Sequence, residues 1–104
     1  MAEKAAEAPG LPVEVVLYVN PASVSSAKAR RNLDTALQEY DPSSFRLIVR
    51  DVTRDLEESE SDHIVFTPTL IVRHPQSPCT LVGDLADTAT VTGMLSLSGM
   101  ERSG

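Results

Sequence analysis

The hydrophobic positions in the first half of the chain follow two different periods. Residues 13–19 (VEVVLYV) are β-branched and almost continuously apolar, which predicts a strand covered on both faces. Over residues 23–40 the apolar positions recur at steps of three and four, as on one face of a helix. Residues 45–52 (FRLIVRDV) predict the second strand. Strand, helix and strand together predict a right-handed βαβ unit whose two strands are parallel.

Both ends of this predicted helix carry signals of their own. Ser23 or Ser25 can cap the first turn, because a serine hydroxyl accepts a hydrogen bond from a free amide there. Asp41 and Pro42 are expected to end the helix, since proline disfavours helical geometry in the residue before it.

The second half predicts a short helix and then a β-hairpin. The helix is predicted over residues 55–65, where Asp55 and Glu58 have the spacing of a capping box. Residues 67–72 (TPTLIV) predict a strand entered through a proline, which cannot donate to a strand ladder and belongs at the strand's start. Residues 74–78 (HPQSP) have the composition of a hairpin turn, and residues 79–82 predict the returning strand.

The last segment, residues 84–98, satisfies two patterns at once. Asp84 or Asp87 could cap a helix whose apolar residues include Val91 and Leu95. The threonines and the glycine of this segment are poor helix formers, and the same residues also alternate as they would in a strand. We predict a helix, because a helix in this place would cover the sheet.

The resulting order, β-α-β-α-β-β-α, is that of an α/β domain of the thioredoxin-like type. That fold has a cis-proline just before its third strand, where Pro68 stands here; an ordinary trans turn is the alternative. The fold also has a redox dithiol after its first strand, but residues 20–26 (NPASVSS) contain no cysteine. Cys79, the only cysteine, is expected to be a small core side chain. The sequence therefore argues against thiol–disulfide exchange.

The length and the net charge of the chain further restrict the classes of function that it can have. The 104 residues suffice for one domain, expected over residues 13–98 between a flexible N-terminal tail at 1–12 and a C-terminal tail at 99–104. The net charge of −6 argues against a nucleic-acid partner. No apolar run could span a membrane and no signal region stands at the N-terminus, so a cytoplasmic protein is expected.

The residues with reactive or ligating side chains are few. One cysteine and two histidines make a metal site improbable, and no glycine-rich phosphate loop or nucleophile motif is found. We therefore expect no metal, no cofactor and no enzymatic activity. A protein-binding module is the class that remains.

Four short blocks, in order along the chain, resemble the KaiB family of circadian clock proteins. They are Leu-Tyr-Val at the first strand, Asp-Val after the second, Thr-Pro-Thr-Leu at the third, and Gly-Asp-Leu after the fourth. The residues that carry this resemblance are Tyr18, Asp51, Thr67, Pro68, Thr69, Leu70, Gly83, Asp84 and Leu85.

The resemblance implies a non-enzymatic partner of a KaiC-type hexameric ATPase, in circadian timing or in a related stress or signalling role. Other clock or signalling proteins are further implied partners, and the family implies a homo-oligomer, either a dimer or a tetramer. It also implies two alternative topologies for the second half: the thioredoxin-like order, and a resting β-α-β-β-α-α-β order. A sequence that serves two folds would explain why residues 87–97 satisfy two patterns.

The residues expected to bind the partner are Lys28 and Arg31, on the outer face of the first helix. The competing interpretation of these charges is an ordinary solvated helix face. Two other functions stay open: a stand-alone sensor domain of the histidine-kinase type, and a thiol oxidoreductase that works through Cys79.

Overall fold

The computed structural model describes residues 13–73 and 79–100. The strands are β1 (Val13–Val19), β2 (Phe45–Asp51), β3 (Thr69–Arg73) and β4 (Cys79–Val82); the α-helices are α1 (Val24–Leu37), α2 (Leu56–Ser61) and α3 (Thr88–Leu97). A short 3-10 helix, Pro42–Ser44, precedes β2. The α/β class and the predicted order β-α-β-α-β-β-α are confirmed. The predicted tail at 1–12, the hairpin turn at 74–78 and residues 101–104 lie outside the described residues.

The strands form one mixed sheet in the order β2-β1-β3-β4. β1 and β2 are parallel, with Val13 opposite Phe45 and Val19 opposite Asp51, as the predicted βαβ unit requires. β3 runs antiparallel to β1, and β4 antiparallel to β3. The carboxyl ends of β1, β2 and β4 and the start of β3 therefore lie at the same end of the sheet.

The two faces of the sheet are covered to different extents. The first face, which includes Val15 and Leu17, packs with α1 and α3 into the main core. The second face carries a smaller cluster around Val16, Tyr18 and Ile71. The helix α2 has no buried residues. Polar contacts, rather than a large apolar interface, therefore have to fix α2 against the sheet.

Helix α1 begins where the sequence predicts and ends earlier. The Ser23 hydroxyl accepts a 3.2 Å hydrogen bond from the Ser26 amide, so Ser23 is the cap. The predicted end at Tyr40 is wrong, because α1 stops at Leu37 and continues as a tight turn in which the Tyr40 amide donates to the Leu37 carbonyl. That turn directs the buried Tyr40 side chain to α3, where its hydroxyl lies 2.7 Å from the Ser96 hydroxyl.

Helix α2 is shorter than predicted, and its capping box is absent. It spans Leu56–Ser61 instead of residues 55–65, and the Asp55 side chain makes no cap hydrogen bond. The Asp55 carboxylate instead accepts from the Asp51 amide at 2.9 Å, which ties the helix start to the end of β2. His63 has a φ of 55° and interrupts the helical path before residue 65.

The ambiguous last segment is helical, as predicted. Asp87 caps α3 by accepting from the Thr90 amide at 3.2 Å and from the Thr90 hydroxyl at 2.8 Å. Val91 and Leu95 are buried in the main core, and Met100 extends that core beyond the helix. Burial of this apolar stripe outweighs the low helix propensity of the threonines.

Candidate protein-binding surfaces

The residues that carry the sequence resemblance gather at one end of the sheet. Tyr18 is paired with Thr69, and the neighbouring Val19 is opposite Asp51. The Gly83 amide donates a 3.0 Å hydrogen bond to the Pro68 carbonyl. Four blocks separated along the chain therefore meet in three dimensions.

The Thr67–Pro68 peptide bond is cis, which settles the alternative left open by the sequence. The residues that follow it, Thr69 and Leu70, are buried in β3. The Thr69 hydroxyl donates to the Phe66 carbonyl at 2.5 Å and so closes the turn around the proline. This block shapes the end of the sheet and supplies no reactive group.

The block after β4 is a turn that needs particular residues. Gly83 has a φ of +126°, a conformation that residues with a Cβ rarely adopt. Leu85 also has a positive φ, 63°, and is buried in the main core. The Asp84 carbonyl accepts a 2.8 Å hydrogen bond from the Asn32 side chain of α1. The turn thus joins β4, α1 and α3.

Asp51 stabilises the turn between β2 and α2. Its carboxylate accepts hydrogen bonds from the Thr53 hydroxyl at 2.6 Å and from the Thr53 amide at 2.8 Å. These two bonds hold the pKa of the Asp51 carboxyl below its usual range. The geometry gives Asp51 a structural role, with both of these partners inside the same turn.

A polar network fixes α2 on the second face of the sheet. The Tyr18 hydroxyl lies 2.5 Å from Asp62 Oδ2 and 3.0 Å from the Glu58 carbonyl. Arg73 Nη2 donates to the same Asp62 oxygen at 2.6 Å, and Arg73 Nε lies 3.5 Å from Glu14 Oε1. Two strands and the end of α2 are joined by this network.

The network shifts the pKa values of Tyr18 and Asp62. Burial, followed by the hydrogen bond to Asp62, raises the pKa of the Tyr18 hydroxyl to about 12. For Asp62 burial acts in the upward direction, but the Tyr18 hydroxyl and the Arg73 guanidinium outweigh it and lower the pKa. Tyr18 was predicted as a motif residue from the sequence, whereas Asp62 and Arg73 were not predicted. Asp62 stands in a run of acids, and nothing in the sequence distinguishes it from the others.

Lys28 and Arg31 lie on the solvent side of α1, as predicted. Both residues are exposed, while Ala29 and Leu33 on the other side of the helix are fully buried. Three positions apart, the two cations lie on the same side of the helix. The neighbouring Arg30 forms an ion pair with Asp34 at 3.1 Å. The structure thus leaves a small basic surface, Lys28 and Arg31, on the outside of the domain.

The loop after β1 has hydroxyl and amide groups where the thioredoxin-like fold has its dithiol. The Ser26 hydroxyl accepts from the Asn20 amide at 3.0 Å, and the Asn20 side chain accepts from the Ala22 amide. Cys79 is at the far end of the edge strand β4 and is exposed. The prediction of a core cysteine is wrong: the Cys79 side chain is exposed, and β4 is the last strand of the sheet formed by residues 13–73 and 79–100.

Neither a metal centre nor a membrane-spanning helix is found among the described residues. Within residues 13–73 and 79–100, no group of three His, Cys, Asp or Glu side chains is placed to hold a metal ion. In the same part of the chain, no helix has the length and apolar character needed to cross a membrane.

The fold and the end of the sheet define a thioredoxin-like α/β domain in which the dithiol loop has no cysteine. The model of the KaiB domain matches residues 16–97, and the chain belongs to the KaiB family. The predicted resemblance is confirmed.

Two curated relatives support this assignment. The circadian clock oscillator protein KaiB of Gloeothece citriformis is 33% identical over 75 residues, which cover 72% of this chain and 71% of that protein. The circadian clock protein KaiB3 of Synechocystis is 31% identical over 75 residues, 72% of this chain and 74% of that protein.

Solved structures show the same fold at lower identity. The germline-specific thioredoxin Deadhead of Drosophila melanogaster superposes with a TM-score of 0.72 at 16% identity, over 92% of this chain and 90% of that one. The N-terminal domain of SasA from Synechococcus elongatus gives a TM-score of 0.63 at 22% identity, over 88% and 86% of the two chains. These likenesses establish the thioredoxin-like fold alone.

Proposed function

We propose that this chain is a KaiB-like regulator that acts by binding another protein, and that its partner is a KaiC-type hexameric ATPase. The observation that carries the proposal is the family match over residues 16–97, which includes the blocks at the end of the sheet. The curated relatives are named as circadian clock proteins, which favours a role in timing or in related signalling. The proposed site of action is the cytoplasm.

The proposed mode of action is binding without chemistry. In the loop between β1 and α1, serine hydroxyls and the Asn20 side chain bond to backbone amides and shape the turn. Thiol exchange at this loop would need a thiolate, and residues 20–26 contain no cysteine. We further propose a single domain over residues 13–98 that forms a homo-oligomer, a dimer or a tetramer, when its partner is absent.

Lys28 and Arg31 are the proposed contact residues for the ATPase. Both point to solvent from a helix whose other side is fixed in the core, so a partner can reach them without unfolding α1. Two cations on one helix face favour an acidic patch on the partner, because opposite charges accelerate association and fix its orientation.

The test uses the full chain and a purified KaiC-type ATPase encoded in the same genome. Binding is measured by biolayer interferometry with ATP and with ADP. We expect nucleotide-dependent association that the double variant K28E/R31E weakens by at least about tenfold, or about 1.4 kcal/mol. The matched control is R46E/R54E, which changes the net charge equally at exposed arginines outside α1.

Each outcome bears on a separate part of the proposal. Absence of association with either nucleotide would remove the ATPase partner and leave the fold untouched. Equal weakening by K28E/R31E and by the control would show that overall charge, and not the α1 surface, governs binding. Circular dichroism of each variant verifies that the helices are retained.

A further inference from the structure

Three large apolar side chains are exposed at one corner of the sheet, and we call them the corner patch. The exposed fractions are 80% for Val65, 67% for Phe66 and 55% for Val82. Exposed apolar side chains are common when they are scattered, but contiguous ones mark interaction sites.

Hydrogen bonds and strand register bring the backbones of Phe66 and Val82 next to Thr69, and Val65 directly precedes Phe66 in the chain. Thr69 is opposite Val82 in the β3–β4 pair, and its hydroxyl donates to the Phe66 carbonyl at 2.5 Å. The Gly83 amide, next to Val82, donates to the Pro68 carbonyl at 3.0 Å. The backbone beneath the corner patch is thus fixed in folded form, and its apolar side chains are presented without a rearrangement.

The surroundings of the corner patch are acidic. The two chain segments nearest to it in the sequence, residues 56–62 before Val65 and residues 83–87 after Val82, contain six carboxylates and no lysine or arginine. Arg50 and Arg73 balance two of them, at Glu58 and Asp62.

The remaining four carboxylates come from both segments. Glu57 and Glu60 are exposed on α2, and Val82 lines a shallow cleft together with Asp84 and Asp87. An apolar centre with an acidic border is complementary to a segment that carries apolar and basic side chains together.

We propose that the corner patch binds a peptide segment of another protein in which apolar side chains alternate with lysine or arginine. The edge strand β4 adds a way to hold such a segment in extended form. Its residues Cys79–Val82 carry no charge, and among the described residues it is the last strand of the sheet on that side. The apolar side chains of the segment would cover Phe66 and Val82, while its cations face the carboxylates.

This site is separate from the basic surface proposed for the ATPase. Lys28 and Arg31 lie on α1, which packs on the first face of the sheet. Thr69 and Val82 belong to the second face, together with Tyr18 and α2. The two sites have opposite charge and opposite positions, so the failure of one proposal does not affect the other.

The experiment measures fluorescence anisotropy with the full chain and three short labelled peptides. The first alternates leucine with lysine, the second replaces each leucine with serine, and the third replaces each lysine with glutamate. We expect saturable binding of the first peptide only. The variant F66S and the double variant E57K/E60K should each weaken this binding by at least about tenfold.

The matched control is L97S, because Leu97 is 86% exposed on α3, away from the corner patch. It should change the affinity by less than about twofold, as should K28E/R31E. If F66S loses its fold, V65S takes its place, since Val65 is more exposed and contributes less to packing.

The remaining outcomes overturn the proposal. Equal binding of the lysine and glutamate peptides would show that the charge complementarity is wrong. Equal loss in L97S and F66S would show non-specific adhesion. If F66S converts an oligomer to a monomer in sedimentation experiments, and the oligomer does not bind the peptide, the corner patch is a contact between copies of this chain.

Discussion

The Tyr18 hydroxyl and Asp62 Oδ2 are 2.5 Å apart, although 44 positions separate the two residues in the chain. Tyr18 lies in the central strand β1 and Asp62 follows the last turn of α2. Because α2 buries none of its own residues, polar contacts such as this bond and the Arg73–Asp62 ion pair attach α2 to the sheet. The pair makes the free energy of unfolding depend on pH at both ends of the scale.

Removal of the Tyr18 hydroxyl should destabilise the protein more than removal of the Tyr40 hydroxyl. The substitution Tyr18→Phe leaves a carboxylate without one of its donors, and a hydrogen bond to a charged group contributes about 1.5–3 kcal/mol. The Tyr40 hydroxyl bonds to neutral partners, the Ser96 hydroxyl and the Thr92 carbonyl, for which about 0.5–1.5 kcal/mol is usual. Urea unfolding of Y18F and Y40F measures both losses, and a larger loss in Y40F would contradict this account.

At alkaline pH the Tyr18 hydroxyl should make the free energy of unfolding depend on pH. The folded-state pKa of Tyr18, about 12, lies above the value of 10.0 that is normal for tyrosine. Its contribution is therefore complete below pH 10 and is lost as the pH rises towards 12. Ultraviolet absorbance of tyrosinate follows this titration directly. The Y18F variant should lack the absorbance change near pH 12, and an unchanged absorbance change there would refute the assignment.

At acidic pH the contribution of Asp62 should disappear. Its folded-state pKa is lowered, so the stabilisation is complete above the unfolded-state pKa and is lost as the pH falls through the folded-state value. Asp62→Asn removes this dependence while it keeps the size of the side chain. The difference in unfolding free energy between wild type and D62N should be largest near neutral pH and should shrink below about pH 4. A difference that stays constant from pH 7 to pH 3 would show that Asp62 does not titrate with folding.

The order of the elements could be predicted because each main element satisfies a strong local pattern. The apolar run over residues 13–19 and the stripe through Ala29 and Leu33 depend only on burial, which is periodic in sequence. The sequence predicted a cap at Ser23 or Ser25, because capping is local, and the structure selects Ser23. The helix at 88–97 was harder to predict, because its stability comes from packing against α1 and the sheet and not from the helix propensity of its own residues.

The polar contacts that fix α2 could not be predicted. Asp55 has the spacing of a capping box with Glu58, yet its carboxylate bonds to the Asp51 amide, a contact that exists only once β2 is in place. Asp62 bonds to Tyr18 in β1 and to Arg73 in β3, so its role depends on tertiary structure. The exposure of Phe66 is a further feature that could not be predicted from the sequence. Ile64, Val65 and Phe66 form an apolar run that is too short to predict which of its side chains are buried.

The turn after β4 gives a test of backbone geometry in which packing is not a factor. Gly83 and Gly93 both have open space where a Cβ would be added, but only Gly83 has a left-handed φ, +126°. Gly83→Ala should therefore destabilise the chain by about 1–3 kcal/mol, through backbone strain at the turn that joins β4 to α3. Gly93→Ala, in the middle of α3, should stabilise it by up to about 1 kcal/mol, because alanine is the better helix former. Thermal or urea unfolding of the two variants should show changes in the free energy of unfolding that have opposite signs. Changes of the same sign would show that packing decides the effect at one of the two positions.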